Sequence, residues 1–146
     1  MNSKIKVLFL CIHNSARSQM AEAYLKKYGG EKFHVESAGL ESGKLNPFAV
    51  RVMMEEGIDI SNNPTQLADD LVHDNRSFDF VITVCDEASA ERCPIFPGKH
   101  TKLHWSFADP SSYKGSDEEK LNFTRGVRDE IRSAIKKFLM EMNYSR

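Results

Sequence analysis

Cysteine is scarce in this chain: three in 146 residues, an odd number that makes a poor disulfide framework. Long apolar runs are missing too, and none approaches the length of about eighteen residues that a membrane-spanning helix needs. The N-terminus lacks the form of a signal peptide, so the expected compartment is the cytoplasm, where thiols serve chemistry or metals rather than staples. Net charge is close to nil, at −1, so no nucleic-acid or membrane partner is expected. Repeats, low-complexity tracts and linkers are absent, and residues 1–146 are expected to form one domain and a monomer. A hydrophobic content of 40% and a charged content of 28% suit a soluble globular protein with a sizeable core.

What the chain does have is concentrated near its start, in Val7-Leu8-Phe9-Leu10-Cys11-Ile12-His13-Asn14-Ser15-Ala16-Arg17-Ser18. An apolar run ends in a cysteine, a polar loop follows, and an arginine and a serine lead into a helical pattern over 19–28. A buried strand, a tight loop and a helix N-terminus form a cradle for an oxyanion, because backbone N–H groups and the helix dipole both favour negative charge there. Residues 13–18 (His13, Asn14, Ser15, Ala16, Arg17 and Ser18) are the expected binding loop, with the Arg17 guanidinium over the anion and the Cys11 thiol beneath it. The same field favours the thiolate. A nucleotide-binding loop is excluded, since GxxxxGK is missing.

Further along, apolar runs alternate with helical patterns, which points to a parallel sheet built from βαβ units. Strands are expected at 5–10, 34–39 (from His34 to the small residues ending at Gly39), 79–84 and 102–105. Helices are expected over 19–28, 47–56 with Asn46 as cap, and 117–142 behind a Ser116/Glu119 capping box. Residues 59–75 are polar and turn-rich, and their pattern assigns no element. The expected fold is α/β, a three-layer sandwich with a four-stranded parallel sheet flanked by helices.

Two strands end alike: Val7-Leu8-Phe9-Leu10-Cys11 and Val81-Ile82-Thr83-Val84-Cys85. In a parallel sheet their C-terminal ends share the edge where ligands of open α/β folds collect, so Cys85 is expected near Cys11. Asp109, before Pro110, is expected on the same rim. Cys85 and Cys93 do not have zinc-knuckle spacing, and His100 and His104 lie on a strand pattern, so neither pair suggests a metal. The two thiols are either inert packing groups or a redox pair. If residues 86–91 are helical in the reduced protein, a redox pair requires movement: eight positions of helix span about 12 Å, whereas bridged Cα atoms lie within about 7 Å.

Cys11, five residues, then Arg17-Ser18 resembles the oxyanion loop of the low-molecular-weight tyrosine phosphatase superfamily, which includes thioredoxin-coupled arsenate reductases. The match extends through Gln19-Met20-Ala21-Glu22, Ser37-Ala38-Gly39, Asp59-Ile60-Ser61, His104-Trp105, Asp109-Pro110 and Arg125 with Arg128-Asp129. Cys85, a short acidic segment and Cys93-Pro94 after the third strand resemble the reductase branch.

That resemblance implies the following cycle, with no cofactor. Arsenate, mimicked by phosphate or sulfate, sits in the loop. The Cys11 thiolate, aided by Ser18, attacks arsenic while Asp109 protonates the departing oxygen. Cys85 attacks Cys11 and arsenite leaves. Cys93 then attacks Cys85, and thioredoxin reduces the Cys85–Cys93 disulfide. The alternative is a tyrosine phosphatase working with Cys11, Arg17 and Asp109 alone; Ser111-Ser112-Tyr113 stands where that branch usually has a tyrosine pair.

The chain departs from the family pattern in Ala16, where well-known members have cysteine, and in His13, a position often held by glycine. The family's potassium site would map to Asn14, Glu22 and Ser37, with Gln66 in place of an acidic ligand.

Overall fold

The computed structural model describes residues 4–144. Its centre is β1 (Ile5–Cys11), in which Val7 to Cys11 are all buried because the sheet is covered on both faces. Strand β1 pairs in parallel with β2 (Phe33–Gly39) on one side and β3 (Phe80–Thr83) on the other. Strand β4 (Thr101–His104) extends the sheet to the order β2-β1-β3-β4. With the helices this is the expected four-stranded parallel α/β fold.

Alternation along β1 splits the core. Val7, Phe9 and Cys11 face α1 (Arg17–Gly29), α2 (Pro47–Met54) and α5 (Asp117–Tyr144), and Leu8 and Leu10 face α3 (Ala68–His73), Phe78 and Phe96. Helix α5 packs through one apolar stripe: Leu121, Val127, Ile131, Ile135 and Phe138 are buried, and Leu139 is partly buried against them. The Ser116/Glu119 box closes reciprocally, at 3.2 and 3.0 Å.

Several boundaries differ from expectation. Helix α1 starts at Arg17 rather than at 19, which puts the arginine on the helix's first turn. Strand β2 begins one residue earlier, at Phe33, opposite Ile5; β3 covers the four residues that pair with both β1 and β4; and β4 lies one residue earlier, at 101–104, in register with β3. The unassigned 59–75 stretch contains α3, six residues held by burying Ala68 and Leu71. Among the described residues no helix is long and apolar enough to cross a membrane.

Arg125 and Arg128 tie α5 to the end of α2, with Asp129 bracing the Arg128 guanidinium from within α5. Arg128 donates to the Val52 carbonyl at 2.9 Å and to Glu55 at 2.8 Å, and Arg125 grips Glu55 through Nε and Nη2. The Arg125 hydrogen bonds are the main force lowering the Glu55 pKa from 4.5 to about 2. A carboxylate lowered this way stabilises the fold above its unfolded pKa and loses that effect as pH falls toward 2. Thermal unfolding should show Glu55→Gln less stable than wild type at pH 6, with the gap narrowing below pH 4.5 and closing only near pH 2; a gap independent of pH would contradict this linkage.

Candidate active site

Cys11 closes β1, and the chain turns at Asn14 before entering α1. Asn14 has φ of 55°, a left-handed value that asparagine tolerates better than most residues, and it is fully buried. Its side chain fixes the turn. Nδ2 donates to Ser18 Oγ at 2.8 Å and Ser37 Oγ at 2.9 Å, and Oδ1 accepts from the Gln66 backbone N–H at 3.1 Å. Gln19 Nε2 donates to the Asn14 carbonyl at 3.1 Å. Around the Cys11 sulfur stand the Asn14 backbone N–H, donating at 3.1 Å, and Ser18 Oγ at 2.9 Å.

The neighbouring chain is moulded to this loop. Leu40, Glu41 and Asn46 donate their N–H groups to the carbonyls of Cys11, Ile12 and Ser15. Gly39 ends β2 because a Cβ there would sit 2.8 Å from Asn14 N and from the His13 carbonyl carbon. The N-cap of α1, Ala16, offers no side-chain cap, and within the described residues the N–H groups of His13, Ser15, Ala16, Arg17 and Ser18 have no acceptor. Unpaired donors at a helix N-terminus form an oxyanion cradle.

Arg17 is 4% exposed, donating to the Phe107 carbonyl at 3.2 Å and facing Asp109 Oδ2 at 3.7 Å. Asp109 caps the 3-10 turn Pro110–Ser112, accepting from Ser111 N and Ser112 Oγ, both at 2.9 Å. Ser111 Oγ lies 3.5 Å from Ser15 Oγ and accepts from Asn46 Nδ2 at 2.8 Å, which binds the Asp109 turn to the loop. Sequence reasoning missed Ser111, Gly39, Gln19 and the second role of Asn46, since their contacts are long-range. Of the expected loop residues, His13 turns its imidazole outward to Glu41 (3.5 Å), and Glu41 also pairs with Arg92 at 2.8 Å.

Cys85 follows β3, its segment bound to β1 through Val84 N–H to the Leu10 carbonyl at 2.8 Å. It is fully buried in the same apolar cluster as Cys11. Burial above all pushes its thiol up to about 11; Arg17 pulls it down, while Cys11 and Asp86 push it further up. Cys93 packs against the other cluster, with Leu8, Leu10 and Phe96, and burial raises its pKa too. Between them lies α4 (Glu87–Ala90), one turn capped by Asp86 Oδ1 on Ser89 N–H at 2.6 Å. All three thiols are free, and the last two occupy opposite faces of the sheet.

The potassium positions do not form a cation cage. Glu22 Oε1 accepts from Ser37 Oγ and Glu22 Oε2 from Lys26, both at 2.5 Å, while Asn14 Oδ1 is taken by Gln66 N–H. Gln66 Nε2 donates to the Ser37 carbonyl at 2.9 Å. A cation needs converging oxygens with open lone pairs, and here N–H, O–H and ammonium groups point at them. Among the described residues no group of three or more His, Cys, Asp or Glu side chains could hold a metal.

The low molecular weight phosphotyrosine protein phosphatase family matches residues 6–146. An arsenate reductase of Bacillus licheniformis is 47% identical over 137 residues, 93% of this chain and 96% of that protein. The chain belongs to this family, and within it to the arsenate reductases. An arsenate reductase solved in its oxidized state superposes with a TM-score of 0.77 at 31% identity, covering 93% of this chain and 97% of that one. A thioredoxin-dependent arsenate reductase of Corynebacterium glutamicum covers all of this chain and 66% of its own length, with a TM-score of 0.71 at 31% identity.

Two outcomes follow from the geometry. Gly39→Ala forces the loop backbone aside and should weaken phosphate binding about tenfold or more by calorimetry, since small misplacements at a site are expensive; wild-type affinity would mean the loop does not rest on β2. Exchanging potassium for tetramethylammonium should leave the melting temperature unchanged, whereas a bound stabilising cation would make it fall.

Proposed function

We propose that this chain reduces arsenate to arsenite through a relay of Cys11, Cys85 and Cys93, regenerated by thioredoxin, as a one-domain cytoplasmic monomer. One observation carries the reading: a second, fully buried thiol, Cys85, lies within the electrostatic reach of both Arg17 and Cys11. Phosphoester hydrolysis has no use for it. A relay does.

The loop N–H groups and Arg17 hold the arsenate oxygens, and the Cys11 thiolate attacks arsenic. Asp109, 3.7 Å from the guanidinium, protonates the oxygen that leaves as water. Cys85 then attacks the Cys11 sulfur. The S–As electron pair passes to arsenic, arsenic(V) becomes arsenic(III), and arsenite departs from a Cys11–Cys85 disulfide. Arg17 favours the Cys85 thiolate, and consuming the Cys11 thiolate removes one charge that keeps Cys85 protonated. Cys93 attacks Cys85, freeing Cys11 as thiolate.

That last exchange joins sulfurs from opposite faces of the sheet, so α4 has to unwind. Its turn is short, and the helix-type bonds to give up are those donated by the N–H groups of Ala90, Glu91, Arg92 and Cys93. At about 1 kcal/mol net for each bond, the opening is within thermal reach.

Arsenite formation with thioredoxin and its reductase tests the scheme. Cys85→Ser should abolish it while sparing slow cleavage of an aryl phosphate, and Cys93→Ser should allow one turnover that ends in a Cys11–Cys85 disulfide. Equal loss of both activities in Cys85→Ser would instead support a plain phosphatase.

A further inference from the structure

Gln19 follows Arg17 and Ser18 on the first turn of α1, and the chemistry above makes no use of it. It is 1% exposed, and both ends of its amide are engaged. Nε2 donates to the Asn14 carbonyl at 3.1 Å, to the Pro64 carbonyl at 3.1 Å and to Asn14 Oδ1 at 3.3 Å. Its two hydrogens are thus shared among three acceptors. Oε1 accepts from Asn63 Nδ2 at 3.2 Å, which fixes the end of the amide that faces Asn14. A buried amide is costly unless its bonds are made. Here they converge on Asn14, the left-handed residue at which the loop turns.

What the bond to the Asn14 carbonyl does follows from the shape of a peptide unit. In a planar trans peptide the C=O and the N–H point in opposite directions, and every peptide among the described residues is trans. Holding a loop carbonyl outward therefore aims the N–H of the next residue into the cradle. The Ile12 carbonyl accepts from Glu41 N–H at 2.8 Å, which aims His13 N–H. The Ser15 carbonyl accepts from Asn46 N–H at 2.9 Å, which aims Ala16 N–H. Both of these holds are made by backbone. The Asn14 carbonyl is held by the side chain of Gln19, and the N–H that it aims is that of Ser15.

We propose that Gln19 is a positioning residue for the anion: by holding the Asn14 carbonyl it points the Ser15 N–H at an oxygen of the bound arsenate. This rests on the reading of the loop as the arsenate site and needs nothing of the cysteine relay. None of the bonds made by the Gln19 amide goes to the Cys11 sulfur or to Arg17. The sulfur is served by other atoms, Ser18 Oγ and the Asn14 N–H. That N–H belongs to the peptide of the His13 carbonyl, one plane earlier than the plane Gln19 holds. The Asn14 side chain also keeps its bonds to Ser18, Ser37 and the Gln66 N–H when Gln19 is lost. Removing the glutamine amide therefore frees the Ser15 plane and leaves the surroundings of the sulfur in place. A donor that serves the bound substrate and the transition state alike acts on KM rather than on kcat.

The test sets Gln19→Met, similar in length and without a donor, beside wild type in three measurements. These are phosphate binding by calorimetry, steady-state arsenate reduction, and the pH profile of Cys11 alkylation by iodoacetamide, followed by mass spectrometry. Gln19→Met should weaken phosphate binding about tenfold, as expected for one hydrogen bond to an anion. Arsenate KM should rise by a like factor while kcat falls by less than about twofold. The midpoint of the alkylation profile should not move. Asn63→Ala leaves Gln19 in place and frees its amide to turn; it should weaken phosphate binding about fivefold, and it carries the test if Gln19→Met does not fold. Phosphate affinity within about twofold of wild type, in Gln19→Met or in Asn63→Ala where that is the variant that folds, overturns the proposal. So does an alkylation midpoint displaced together with the affinity, which would make Gln19 a prop of the whole loop. A wild-type protein that binds no phosphate would instead bring down the arsenate-site reading, and the role of Gln19 with it.

Discussion

A guanidinium lies buried at the end of the sheet, and its charge is only half answered by the protein. Arg17 has the Phe107 carbonyl at 3.2 Å and a carboxylate oxygen of Asp109 at 3.7 Å, and both Asp109 oxygens already accept hydrogen bonds from the turn they cap. Burying a cation without full compensation is costly. The unpaired N–H groups of the loop add positive potential at the same place. A tetrahedral dianion supplies what the site lacks, and phosphate and arsenate meet that requirement equally. The pocket therefore explains anion binding, and the choice between hydrolysis and reduction has to come from the thiols around it.

Their placement follows from the sheet. Strands β1 and β3 are neighbours in parallel, so the cysteines that end their apolar runs arrive at one edge, and both belong to the core that packs against α1 and α5. Cys93, after one turn of helix, packs on the other face. In the proposed relay, this separation keeps the resolving thiol away from the reacting sulfur until the segment opens. Burial keeps Cys85 protonated, and Arg17 is the nearby cation able to draw the proton off. Order in the proposed relay thus comes from where charge and apolar surface lie, without a dedicated base for Cys85.

The strands and the long last helix were legible because their signals are strong: runs buried on both faces for β1 and β3, a continuous stripe for α5. Helix α3 was not, since six residues with two fully buried side chains leave no period to read. At the site, Cys11, Arg17, Cys85 and Asp109 stood out as chemistry at strand ends. Gly39, Gln19, Asn46 and Ser111 did not, because their work lies in contacts with residues far away in sequence, as when Gly39 yields its Cβ space to Asn14. Asn14 was readable as a loop former, but its place at the centre of the hydrogen bonds appears only when β2 and residue 66 are brought beside it. His13 could be marked as a departure from the family pattern, while its outward turn depended on the position of Glu41.

The two sides of the site are held by different kinds of bond, and the difference matches what each side has to do. On the α1 side, Asn14, Ser18 and Ser37 are buried and joined by neutral hydrogen bonds, with Glu22 and Gln66 at the border. Buried bonds of this kind are insensitive to salt and leave unsatisfied groups when broken, so the loop resists deformation. On the α4 side, the tie is the chain His13–Glu41–Arg92, with each side chain about half exposed. Exposed pairs are weak and screened by ions, so they steer a segment without locking it. A cradle that must meet arsenate in one geometry needs the first kind. A segment that unwinds in each turn of the proposed relay needs the second, and a buried network at Arg92 would oppose the movement by which Cys93 reaches Cys85 in that scheme.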